Sequence, residues 1–181
     1  MVSKTLFSNN SDEWETPRDL YDKLNERFRF TLDPCSTIEN HLCDKYYTKE
    51  DNGLEKSWRG ERVFVNPPYS NIKQWAEKCY NEYETNGTTV VMLIPVRTDT
   101  RYFHEYIYHK AEIEFIKGRL HFSNAKNAAP FPSMIVIYSE EYNPDALASG
   151  MNATVRKGKQ NFCKEELSSG LLESPVRIAI Q

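Results

Sequence analysis

Glycine is scarce in this chain, with 7 among 181 residues. None falls between Asp33 and Gly53, so a ligand-facing loop in that stretch lacks the residue that lets backbone approach a ligand most closely. Long apolar runs are missing as well. No stretch approaches the roughly 20 residues of a membrane span, and the start Met1-Val2-Ser3-Lys4 has no signal-peptide core. Neither a membrane nor secretion is expected. The 4 cysteines, Cys35, Cys43, Cys79 and Cys163, show no pairing rhythm and read as reduced thiols. Cys35, His41 and Cys43 fit no zinc spacing and no second ligand pair follows them, so no metal is expected. Repeats and low-complexity tracts are absent.

What is present is an alternation of strand and helix signals. Thr16 reads as an N-cap with Pro17 at the first helical position, followed by Leu20, Leu24 and Phe28 on one face of a helix ending near Arg29. Short strands are expected at 30–32 and 45–48, and a firmer one at 62–65. Ile72, Trp75, Ala76, Cys79 and Tyr83 form a helical stripe closed by Asn86-Gly87. Thr89 to Ile94 has the apolar run of a strand buried on both faces. A third helix is expected over 99–110, and two last strands at 113–116 and 134–138, joined by a long loop. This order implies an α/β sheet with a parallel core. One domain over 1–142 is expected, with 143–181 a poorly packed tail.

The most informative residues are Asn66-Pro67-Pro68-Tyr69, directly after Val63-Phe64-Val65. An exocyclic amine on an aromatic ring is a poor nucleophile because its lone pair is delocalised into the ring. Drawing that pair out of plane requires acceptors aimed at the amine protons. The Asn66 amide oxygen is one candidate. The Pro67 carbonyl is a second, its direction set by the proline that follows. Tyr69 supplies a flat face for a base. The set suits methylation of a planar nitrogen by preorganised acceptors, and on this reasoning Asp at position 66 is a milder change than Ala, because a carboxylate still accepts a hydrogen bond. The bland alternative is a strand-end turn.

Several ordered pieces resemble the phage-type DNA N-6-adenine methyltransferases, which use S-adenosylmethionine. They are Asp12-Glu13-Trp14-Glu15-Thr16-Pro17, Leu32-Asp33-Pro34-Cys35-Ser36, Val65 to Tyr69, Ile94-Pro95-Val96-Arg97-Thr98-Asp99-Thr100, and Gly118-Arg119-Leu120-His121-Phe122 with Ala129-Pro130-Phe131-Pro132-Ser133. The resemblance covers residues 11–138. It implies a Rossmann-like S-adenosylmethionine-dependent methyltransferase fold, with a mostly parallel central sheet and flanking helices. It also implies a cytoplasmic, phage- or prophage-encoded enzyme acting on double-stranded DNA in a bacterial host. Asn66, Pro67, Pro68 and Tyr69 would then be catalytic. Trp14, Thr16, Pro17, Asp33, Cys35 and Asp51 would face the cofactor, and because a strand-end carboxylate supports the core little, loss of Asp33 is expected to cost the fold little. Arg97, Arg101, Arg119, His121 and Phe131 would contact DNA. The tetrapeptide also serves enzymes acting on RNA bases or protein glutamine, and an inactive DNA-binding relative is a third reading.

Charge bears on the DNA partner. The formal net charge is −3, although Arg156, Lys157, Lys159, Lys164 and Arg177 outnumber Glu165, Glu166 and Glu173 after Ala153. A nucleic-acid enzyme with this balance must gather its basic residues on one face. The candidates are Arg97, Arg101, Lys117, Arg119 and Lys126.

Overall fold

The computed structural model describes residues 14–140 and the backbone of 176–178. Helix α1 spans Arg18–Phe28 and buries Tyr21, Leu24 and Phe28. Tyr21, rather than the expected Leu20, completes the apolar face. Strands β1 (Leu32–Asp33) and β2 (Lys45–Tyr46) are two residues each, and β3 is Arg62–Val65. A 3-10 turn, Tyr69–Asn71, feeds α2, Ile72–Asn86, which ends where Gly87 adopts φ 65°. Strand β4 (Thr89–Pro95) follows, then β5 (Glu112–Phe115), β6 (Ser133–Tyr138) and β7 (Val176–Ile178).

The expected third helix is cut down to a π-helical turn, Phe103–Ile107, closed by a bond of 2.8 Å from the Tyr108 amide to the Phe103 carbonyl. Six of the residues from Tyr102 to His109 are bulky aromatics or histidines that crowd an α-helical groove. His109 then leaves the turn at φ 60°.

The strands form one seven-stranded sheet in the order β2-β1-β3-β4-β6-β5-β7. It is mixed, which corrects the mostly parallel sheet expected above. The pairings around β1, β3 and β4 are parallel, but β6 lies antiparallel between β4 and β5. Its six-residue ladder with β4 is the longest in the sheet. Because β4 and β5 run the same way, the segment joining β5 to β6 emerges at the rim where β1, β3 and β4 end. Asp33 and Asn66 sit at that same rim.

Alternation within each strand builds a core on both faces. Val63, Val65, Val90, Met92, Ile94, Met134 and Val136 pack towards α2, with Trp58 and Trp75. Phe64, Val91, Leu93, Ile135 and Ile137 face the opposite way, onto α1 and the β5–β6 segment. Thus β4 is buried from Val90 to Pro95. Of the expected tail 143–181, only β7 is described, and it pairs in parallel with β5; the rest lies outside the described residues. Among the described residues no helix is long and apolar enough to cross a membrane.

Candidate active site

The turn after β3 is set by its prolines. Pro68 holds φ −54° and ψ 126°, and its carbonyl accepts the Asn71 amide at 3.0 Å, which starts the 3-10 turn and commits the chain to α2. Asn66 is thereby left at the strand end with its side chain turned to the segment Trp14–Thr16. Its Nδ2 donates to the Trp14 carbonyl and, at 2.9 Å, to the Thr16 hydroxyl. Its Oδ1 is buried and has no hydrogen-bond partner among the described residues. A buried acceptor left empty is costly unless something supplies a donor.

Tyr69 sits in an aromatic cluster. Its ring is nearly parallel to Trp14, with centroids 6.4 Å apart and planes 23° apart, and it meets Phe131 edge-on at 5.5 Å. Trp14 also contacts Phe122 at 5.0 Å and Phe131 at 5.3 Å. The Tyr69 hydroxyl is buried without a partner, and burial pushes its phenol far above the ordinary range, so it stays neutral.

Two cavities flank this turn. The larger, about 1040 Å³, is lined by Trp14, Thr16, Asp33, Cys35, Asn66 and Pro68, with Glu50, Trp75 and Asn124 among the others. The smaller, about 410 Å³, is lined by Tyr69, Ile72, Lys73, Pro95, Arg97, Thr100 and Tyr102. Ser70 borders both. The tetrapeptide therefore divides a large compartment at the ends of β1 and β3 from a small one beyond β4, where open α/β sheets bind ligands.

Asp33 is 5% exposed on the wall of the larger cavity. Its Oδ1 accepts the Cys35 amide at 3.4 Å and its Oδ2 the Leu42 amide at 3.2 Å. Burial pushes the carboxyl up to about 6, outweighing the lowering by these amides and by His41. The carboxylate pins the 34–42 loop through these two amides, which runs against the expectation that its loss costs the fold little. Burial likewise raises the Cys35 thiol well above its usual value, leaving it a neutral wall group. Cys43 shares a hydrogen bond of 3.3 Å with the Tyr21 hydroxyl, and His41 Nδ1 bonds the Cys43 carbonyl at 2.9 Å.

Several expected positions move. Thr16 makes no helix cap, since its hydroxyl is taken by Asn66, and Pro17 occupies the cap position and lines neither cavity. Asp51 lies outside the larger cavity because its carboxylate is used locally, accepting both the amide and the hydroxyl of Thr48 at 2.9 Å. Its neighbours Glu50 and Asn52 line the wall instead. Pro67 is buried and lines neither cavity.

Phe131, expected to meet DNA, is 6% exposed and belongs to the core with Phe122. Its apolar neighbours Trp14 and Tyr69 hold it there. Arg119 and His121 are exposed on the segment between β5 and β6. Arg97 lines the smaller cavity and pairs with Asp99 at 3.3 Å, and Arg101 pairs with Glu105.

The β5–β6 segment reaches the site in a way no motif signals. Both backbone groups of Glu15 are used by it: the amide donates to Asn124 Oδ1 at 3.2 Å and the carbonyl accepts the Ser123 amide at 2.9 Å. Ser123 Oγ adds a bond of 3.3 Å to the Thr16 carbonyl. Ser123 and Asn124 were invisible in the sequence because their partners lie 107 and 109 residues away.

Two comparisons with known proteins bear on this arrangement. The profile of a family described as DNA N-6-adenine-methyltransferase (Dam) matches residues 3–161. A protein named DNA N-6-adenine-methyltransferase from Escherichia phage T1 is 34% identical over 111 residues, which are 60% of this chain and 46% of that protein. One of the same name from Haemophilus phage HP1 (strain HP1c1) is 27% identical over 146 residues, 76% of this chain and 84% of that protein. The chain thus spans less than half of the first relative and most of the second.

Proposed function

This chain belongs to the DNA N-6-adenine-methyltransferase family, and we propose that it transfers a methyl group from S-adenosylmethionine to the exocyclic N-6 of an adenine flipped out of double-stranded DNA. The observation that carries the reading is the buried Asn66 Oδ1, an acceptor without a donor among the described residues, on a residue that lines the larger cavity. The phage sources of both relatives support a role on DNA in the bacterial cytoplasm.

The larger cavity fits the donor. At about 1040 Å³ it lies at the upper end of ligand-pocket sizes. Trp14, Asp33, Cys35 and the 48–54 turn would hold it, and an ionised Asp33 suits a cation. S-adenosylmethionine, when bound, supplies an electrophilic methyl group on a positively charged sulfur. Every remaining task falls to the chain. Asn66 Oδ1 accepts one amine hydrogen, which helps to localise the nitrogen lone pair towards the methyl donor, and the Pro67 carbonyl, on a residue that lines neither cavity, would accept the other only once the base is seated against the turn. Tyr69 offers its ring to the base. Placing an unpaired base in such a pocket requires unstacking it from the duplex, at a cost of a few kcal/mol.

The β5–β6 segment, with Arg119 and His121 exposed, and Arg97 beside the smaller cavity are the parts of the chain that meet phosphate or base edges. Single-turnover transfer of labelled methyl from S-adenosylmethionine to adenine-containing duplex, with the product base identified after digestion, tests the reading. Label in N-6-methyladenine is expected. Label only in RNA or protein overturns it.

A further inference from the structure

Thr16 is 7% exposed, and a buried threonine ahead of a helix ordinarily spends its hydroxyl on the helix amides. Here no side chain caps α1. The hydroxyl instead accepts a hydrogen bond of 2.9 Å from Asn66 Nδ2, and the second hydrogen of that same amide goes to the Trp14 carbonyl. A carbonyl oxygen only accepts, so the nitrogen of the Asn66 amide must face the Trp14–Thr16 strap. Its oxygen must then face away, where it is buried without a partner.

We propose that Thr16 is a positioning residue rather than a cofactor contact: with the Trp14 carbonyl it fixes the rotation of the Asn66 amide so that Oδ1 is the atom offered to the target amine. The kinetic consequence rests on the methyl-transfer reading above, but the geometric one does not. With both amide hydrogens occupied, Asn66 meets the amine as an acceptor alone. Without the Thr16 hydroxyl, one buried N–H has no partner, and only the Trp14 carbonyl is left to hold the rotation of the amide.

The same geometry bears on the choice of residue at 66. A carboxylate has no hydrogen for the Trp14 carbonyl and sets oxygen against oxygen there, so Asp cannot replace Asn without displacing the strap. This runs against the sequence-based expectation that Asp is a milder change than Ala.

Thr16→Val removes the hydroxyl at nearly constant shape, and Thr16→Ser keeps it. The side-chain amide signals of Asn66, identified in a nitrogen-15 spectrum by their loss in Asn66→Ala, should shift and lose exchange protection in Thr16→Val and return in Thr16→Ser. Single-turnover methyl transfer at saturating duplex and S-adenosylmethionine should fall about tenfold in Thr16→Val, the scale of one buried hydrogen bond. It should stay within about twofold of wild type in Thr16→Ser, and S-adenosylmethionine affinity should hold in both. Asn66 amide signals unmoved in a folded Thr16→Val overturn the proposal. So does a loss confined to S-adenosylmethionine affinity, which would return Thr16 to cofactor binding. If the amide responds while the wild type transfers no methyl to DNA, the proposed reaction falls and the positioning of Asn66 stands.

Discussion

Gly53 lies so close to Pro34 that a Cβ built on it would fall 2.0 Å from the Pro34 carbonyl oxygen. Two stretches of the larger cavity wall, the loop after β1 and the turn after β2, therefore touch through bare backbone. Trp58 holds the second from behind, its indole N–H donating 3.0 Å to the Gly53 carbonyl. The glycine-poor loop noted in the sequence thus packs tightly here because the residue that meets Pro34 is a glycine from elsewhere. Gly53→Ala is expected to cost about 1–3 kcal/mol, as overpacking does, and to weaken S-adenosylmethionine binding. Urea unfolding and calorimetric titration read the two effects, and unchanged stability would mean the loops part freely.

On the proposed reading, removing the Asn66 side chain takes away an acceptor aimed at the reacting group. Asn66→Ala should slow methyl transfer by about 100-fold or more while S-adenosylmethionine affinity stays near wild type. Asn66→Asp should be no better than Ala, for the reason given by the Trp14 carbonyl. Single-turnover rates decide both, and full activity in Asn66→Ala would falsify the mechanism.

Tyr69 acts through its ring. Its hydroxyl has no partner in the folded chain, so Tyr69→Phe relieves an unsatisfied buried group and should be neutral or slightly stabilising, with a near wild-type rate. Tyr69→Ala opens the aromatic cluster formed with Trp14 and Phe131 and should cost about 3–5 kcal/mol along with most of the activity. Thermal unfolding paired with rate measurement checks it. A large rate loss in Tyr69→Phe would assign the hydroxyl a contact with the nucleotide.

Asp33 makes the protein pH-sensitive in a definite direction. Its carboxyl is raised by burial from 3.8 to about 6 in the folded chain, so the protonated form is favoured there. The stability it contributes is fully present below about pH 4 and is lost as pH rises through about 6. A cationic ligand beside it favours the ionised form, so S-adenosylmethionine binding should tighten from pH 5 to 7 and release a proton. Titration calorimetry in buffers of different ionisation enthalpy measures this, and Asp33→Asn should flatten the profile. A wild-type affinity independent of pH in that window would place the sulfonium away from Asp33.

Arg119 and Arg101 provide a contrast. Arg119 is exposed on the β5–β6 segment, whereas Arg101 forms an i,i+4 pair with Glu105. If Arg119 meets a phosphate, Arg119→Gln should weaken duplex binding and lower the slope of log affinity against log salt by about 1. Arg101→Gln should change the slope less. Equal slopes in wild type and Arg119→Gln would remove Arg119 from the interface.

Much of the scaffold was legible where local chemistry decides it. Residues 62–65 and the run from Thr89 are apolar and β-branched, the prolines after Asn66 admit one turn, and Gly87 supplies the left-handed residue that ends α2. The direction of β6 was not legible. Met134 to Tyr138 has the same pattern whether parallel or antiparallel, and only the path of the preceding segment decides. Burial of Phe131 escaped for a related reason, because its neighbours Trp14 and Tyr69 come from two distant segments. In the site, residue types were readable and their partners were not: Asn66 announced an acceptor, but which atom faces the amine depends on Trp14 and Thr16, 52 and 50 residues earlier.

The antiparallel placement of β6 also bears on how this protein diversifies. The ends of the β5–β6 segment are neighbours in the sheet, so its length is not dictated by the span it must cover. Two clasps fix its path: Ser123 and Asn124 on Glu15, and the Ala129 amide on the Leu120 carbonyl at 2.7 Å. The bulge between them, Ala125 to Ala128, is held at both ends and includes the exposed Lys126 and Asn127. Extra residues inserted there would remain at the rim beside Asn66 while strand register and the strap stayed as they are. On the proposed reading, a change of DNA target sequence is therefore open to this chain through one short bulge, without rebuilding the chemistry beneath it.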